Sequence, residues 1–186
     1  MRYLFLLLVL CSISPAMCDE TTTRHICEQK QCRGKGVIKI RIDQTQYLEI
    51  DLAGTVIAHE SNISIYPGET YSISARIKNG QIVDLTPVKG MPDRAKHLRV
   101  SFVQQASQDG ELSSLLQVFN PFEYPLRYEA YIDFDGSNNF VYTSSCPVKP
   151  GLTTYEHWPR AIVHLVMTNV RLLRDHAPGS GPIACE

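Results

Sequence analysis

The sequence predicts an all-β fold: one antiparallel β-sandwich domain of about nine strands. Three observations predict it. Apolar and polar residues alternate with a period of two in one segment after another, as in strands with one buried face. Turn dipeptides such as Pro67-Gly68, Asn79-Gly80 and Asp135-Gly136 punctuate those segments. No long stretch carries the 3.6-residue repeat of a helix.

The chain opens on an export signal. Residues 1–18 read as a signal peptide: Arg2, an apolar run from Tyr3 to Leu10, then small residues around Pro15. That run is far shorter than the ~20 residues needed to span a bilayer. Cleavage fits after Ala16 or after Cys18. Lipidation of Cys18 is disfavoured because Met17 stands where a small residue belongs. No later segment is long and apolar enough to span, so the chain is not expected to be an integral membrane protein. The expected location is secreted or periplasmic.

Residues 19–36 form a polar leader carrying Cys27 and Cys32, and residues 37–175 form the sandwich. Ile38, Ile40 and Ile42 alternate with Lys39 and Arg41, and Leu48, Ile50 and Leu52 with Glu49 and Asp51. Val56 to Ile65 holds one or two weaker strands broken at Glu60-Ser61-Asn62. Tyr71, Ile73, Ala75 and Ile77 define the next strand, and Asn79-Gly80 predicts a tight hairpin into Ile82-Val83. Residues 86–97 are the least strand-like stretch, and Leu98 to Gln104 resumes the pattern. Leu112 to Phe119 follows, then the turn-rich Asn120 to Pro125. The cleanest alternation runs through Leu126, Tyr128, Ala130, Ile132 and Phe134. Residues 135–139 are a hairpin loop into Phe140 to Thr143, and a last strand runs from about Ile162 to Leu173. Residues 176–186 form a Gly- and Pro-rich tail.

Six cysteines are present. Cys11 leaves with the signal; with Cys18 removed as well, Cys27, Cys32, Cys146 and Cys185 remain, an even number suited to an oxidising compartment. Four cysteines allow three pairings. Cys27–Cys32 is favoured because it closes a short loop, and Cys146–Cys185 because it ties down a tail that would otherwise fray.

Residues 112–173 resemble strands of immunoglobulin-like or fibronectin-type modules. They also resemble exported bacterial proteins with a similar Asn120-Pro121-Phe122 stretch, Cys146-Pro147 and Trp158-Pro159. The resemblance implies an immunoglobulin-like sandwich and export. It brings no catalytic residue, and the Cys…Trp…Cys spacing of true immunoglobulin domains is not evident.

Eighteen basic and nineteen acidic residues give a net charge of −1, without the basic excess that nucleic acid requires. Charge is segregated along the chain. Residues 24–41 and 76–99 are basic blocks, and 42–75 and 109–135 acidic ones. On neighbouring strands such blocks compensate one another; on one surface the two basic blocks would meet an anionic polymer or lipid.

Motifs for catalysis, nucleotide or metal are missing. No G-x-S-x-G, H-E-x-x-H or P-loop occurs, and the six histidines form no i, i+2 or i, i+4 pair. No cofactor and no metal are expected. His164, inside an apolar strand, reads as a satisfied core or edge histidine. A triad of Ser144 or Ser145, His157 and Asp133 assembles only on paper. Asp133 to Asn139 begins like a calcium loop but lacks the closing acid, so a hairpin turn explains it. Tyr155, His157 and Trp158, beside Pro159, are the candidate binding residues. The expected function is a non-enzymatic binding or interaction module for a cell-envelope or extracellular protein, polymer or lipid. The alternatives are a secreted hydrolase with a noncontiguous site and a structural component of an envelope assembly.

Overall fold

A computed structural model describes Cys27, residues 32–176 and residues 184–185. The signal peptide expected at 1–18 lies outside these residues, as do most of the leader and of the tail.

Twelve strands follow one another: β1 (Val37–Arg41), β2 (Tyr47–Asp51), β3 (Ala58–His59), β4 (Asn62–Ile65), β5 (Thr70–Lys78), β6 (Gln81–Pro87), β7 (Leu98–Ala106), β8 (Leu112–Phe119), β9 (Leu126–Asp133), β10 (Val141–Thr143), β11 (Thr153–Trp158) and β12 (His164–Leu172). All their pairings are antiparallel. One five-stranded sheet has the order β10-β9-β12-β4-β3, the other β11-β8-β7-β5-β6. The count exceeds nine for local reasons. The weak 56–65 segment forms two strands, β3 and β4, and residues 153–158, for which no strand is expected from sequence, form β11.

The period of two does what it predicts. In β9, Leu126, Tyr128, Ala130 and Ile132 are buried while Arg127, Glu129 and Tyr131 stay partly open. Ile63, Ile65, Ala130 and Leu165 from one sheet meet Ile73, Leu85, Phe102, Leu116 and Val118 from the other in a single core. Each fully buried aliphatic side chain there contributes about 1.5–3 kcal/mol. Asn79 and Gly80 both have positive φ (52° and 75°), the backbone of a two-residue type I′ hairpin, and they join β5 to β6.

β1 and β2 depart from the sandwich strands they resemble in sequence. They pair only with each other, as a two-stranded ribbon. Ile40 and Leu52 pack with Tyr66 and Val163 in a second, smaller core. A buried arginine fastens the segment before this ribbon to the sandwich. Arg33 is 7% exposed, donates to the Val56 and Ser64 carbonyls, and pairs with Glu69.

Cys27–Cys32 and Cys146–Cys185 are both paired, with Cα separations of 5.0 and 4.2 Å. Two disulfides are the mark of an oxidising, extracytoplasmic environment. The Arg127 guanidinium also donates to the Ala184 carbonyl, beside Cys185. Among the described residues no helix is long and apolar enough to cross a membrane.

Candidate functional site

The candidate residues Tyr155, His157 and Trp158 lie on β11, the last strand at one side of its sheet. Thr153, Tyr155 and His157 point outward, and Thr154, Glu156 and Trp158 are half-buried. The structure therefore separates the three. Tyr155 is 65% exposed, whereas Trp158 packs against the main core and its indole N–H donates to Thr143 Oγ1 at 3.2 Å.

That hydrogen bond brings β11 of one sheet against β10 of the other. Glu156 adds a second tie, accepting from the Tyr128 hydroxyl at 2.7 Å. Burial raises the Glu156 pKa above the usual carboxylate range. Burial, then the neighbouring carboxylate, pushes the Tyr128 phenol well above its ordinary value. The Glu156 Oε2 atom is buried without a hydrogen-bond partner.

Both strands end their sheets, so two edges run along one flank. Val141 and Tyr142 on β10, Leu152 and Tyr155 are 47–65% exposed, and they are four of the eight exposed large apolar side chains among the described residues. Tyr142 meets Tyr131 edge-on, with ring centroids 5.6 Å apart. β11 pairs with β8 alone, contains no Lys or Pro, and carries one acid, the inward Glu156, so its outward face bears no carboxylate, lysine or arginine. No strand is expected from sequence at Thr153 to Trp158, and Tyr142 is not among the candidate binding residues. The alternation across Thr153 to Trp158 is the signal that was available.

His157 also lines a cleft of about 290 Å³ with Ser107, Glu111 and Ser113. Among the described residues it hydrogen-bonds to none of them. The described Ser–His hydrogen bond lies elsewhere, between Ser64 Oγ and His164 Nε2 at 2.8 Å. There the imidazole stacks on Tyr66 at 4.1 Å and meets Phe140 edge-on. Burial, reinforced by the Arg33 charge, lowers the His164 pKa to about 4. Such an imidazole is a weak base at neutral pH, so the pair serves packing rather than nucleophile activation.

The paper triad is not brought together. Ser145 Oγ donates to the Tyr128 carbonyl at 2.5 Å. Asp133 is 1% exposed, and its two carboxylate oxygens accept from the backbone N–H groups of Asp135, Gly136 and Asn138 at 3.0–3.2 Å. Those bonds hold the β9–β10 loop, as the hairpin reading requires. Among the described residues no three His, Cys, Asp or Glu side chains are grouped to hold a metal ion.

Charge is answered locally. Lys39 faces Glu49 across β1–β2, Arg76 faces Asp84 across β5–β6, and Arg171 faces Glu129 across β12–β9, at 3.6–3.8 Å. Each pair takes a residue from opposite sides of one strand pairing. Comparison with protein families, with curated proteins and with solved structures returns no match for the chain.

Proposed function

We propose that the chain is an exported, non-enzymatic interaction module whose contact surface is the β10–β11 flank. Its partner is a cell-envelope or extracellular protein that adds an extended segment to β11. One observation carries this reading: β11 is an open sheet edge with Tyr155 exposed on it and Tyr142 and Leu152 exposed beside it. An open edge supplies main-chain hydrogen bonds, and outward side chains at alternate positions supply selectivity. Backbone pairing favours a protein over a polymer or a lipid. The immunoglobulin-like assignment belongs to the same proposal, supported by two five-stranded antiparallel sheets over one core. The hydrolase alternative is weaker, because His157 is bonded to neither serine in its cleft.

Site-specific photo-crosslinking in the producing cell tests the proposal. Benzoylphenylalanine at Tyr155 or Tyr142 should give one discrete protein adduct. The same probe at Lys89, just beyond the opposite edge strand β6, should not. No adduct from the flank, or the same adduct from Lys89, would refute the assignment.

A further inference from the structure

A second concave feature lies where the β5–β6 hairpin meets the end of β12, away from the flank. It is a cleft of about 360 Å³. Leu172, 5% exposed, forms buried wall, and Ile77, 44% exposed, stands at the open side. Phe122 and Tyr124, on the β8–β9 connection, contribute aromatic surface. That connection is held rigidly by Asn120, which is fully buried. Its amide donates to the Tyr124 and Val148 carbonyls at 2.9 and 2.8 Å, and its Oδ1 accepts from the Phe122 N–H at 2.9 Å. The aromatic wall is therefore in place before any ligand arrives, which removes an ordering cost from binding.

Two charged residues, Arg174 and Glu123, line this largely apolar surface. The Arg174 guanidinium lies 5.5 Å from the Tyr124 ring centroid and donates to the Asn79 carbonyl at 3.2 Å. Gly80 makes room for it, since a Cβ there would collide with the guanidinium. Among the described residues Arg174 has no carboxylate within ion-pair distance. Glu123 lines the cleft too, yet it forms no ion pair with Arg174. A planar, weakly hydrated fork with donors to spare suits a carboxylate or phosphate group. Beside it, the apolar walls suit a chain or ring.

We propose that this cleft binds an amphiphilic anion: one carboxylate or phosphate against Arg174, with its apolar body between Phe122, Ile77 and Leu172. At about 360 Å³ the cleft is at the small end of ligand pockets, which suits a short chain or a single ring. The proposal does not depend on the flank.

Calorimetric titration of the oxidised protein tests it with octanoate, octyl phosphate, octanamide and acetate. Either octyl anion, or both, should bind about tenfold more tightly than octanamide, which lacks the charge, and than acetate, which lacks the chain. Whichever anion binds more tightly names the head group. R174Q should bring the octyl anions down to the octanamide level and leave octanamide itself unchanged. In amide spectra, Gly80 and Phe122 should shift on titration while β11 does not. No saturable binding of either anion, equal binding of octanamide, or undiminished anion binding by R174Q would overturn the proposal. So would shifts confined to residues outside the cleft.

Discussion

Arg33 and Glu69, 36 residues apart, form a two-point ion pair, with Nε–Oε1 at 2.6 Å and Nη2–Oε2 at 2.7 Å. Burial works against the Arg33 charge, but the Glu69 hydrogen bonds and charge outweigh it and hold the guanidinium pKa above its ordinary value. Glu69 in turn accepts from the Tyr66 N–H and the Tyr71 hydroxyl. Burial first, then Glu69, pushes the Tyr71 phenol upward. One carboxylate thus gathers donors from three separate positions of the chain.

Removing one partner should cost far more than an exposed pair would. Arg33→Ala leaves the Glu69 carboxylate, 13% exposed at its side chain, without its cation and two half-buried carbonyls without their donor. The expected loss is about 3–5 kcal/mol by urea denaturation of the oxidised protein. Arg33→Lys should recover little of it, because an ammonium cannot reproduce the fork. A loss below about 1 kcal/mol would contradict this account.

Tyr128→Phe tests the flank from inside. It removes the larger of the two hydrogen bonds that hold down the Glu156 pKa and leaves both carboxylate oxygens without a side-chain donor. The penalty at neutral pH should be about 1–3 kcal/mol. Burial makes folded Glu156 hold its proton more tightly than the unfolded chain, so its own contribution is full below the ordinary carboxylate pKa and is lost as pH rises through the raised one. The Tyr128 hydroxyl favours the ionised carboxylate and offsets part of that loss. The Tyr128→Phe deficit should therefore grow as pH rises and shrink on acidification. A pH-independent deficit would argue against an ionised Glu156 beneath β11.

His164 acts in the opposite direction. Its folded pKa of about 4, against 6.5 unfolded, means that the unfolded chain takes up the proton first as pH falls. Stability should decline between pH 6.5 and 4, by at most ~3 kcal/mol from this group. His164→Gln should flatten that part of the profile. A wild-type and a variant profile that run parallel would show that the imidazole does not titrate in that window.

Cys185→Ser should cost about 2–4 kcal/mol and loosen the end of the chain before anything else. Hydrogen exchange would show faster amides at 184–185 while β9 and β12 keep their protection. Non-reducing peptide mapping of the wild type should recover Cys146 joined to Cys185, and recovery of Cys185 with Cys27 or Cys32 would refute the pairing.

The strands were legible where burial is one-sided. β9 shows it best, because every second residue from Leu126 to Ile132 enters the core. β11 was less legible because Pro150-Gly151 before it and Pro159 after it frame its six residues as a loop. The separation of β1 and β2 from the sandwich was not legible either, since a two-stranded ribbon on its own small core carries the same alternation. Arg33 lay in a polar leader and Glu69 in a turn. No local period encodes a contact across 36 residues. His164 was readable as a satisfied histidine from its apolar strand, but Ser64 as its partner was not.

The Cys146–Cys185 link spans 39 residues, and both β11 and β12 lie inside the ring it closes. Proteins with open edges often trade whole strands between copies, each lending an element to its neighbour. A lent β11 or β12 would have to leave as a closed covalent ring rather than as a free end. In the oxidised protein the proposed dock on the flank would thus work one way: it would receive a visiting strand while its own stays at home. Reduction would open the ring and with it the reciprocal trade.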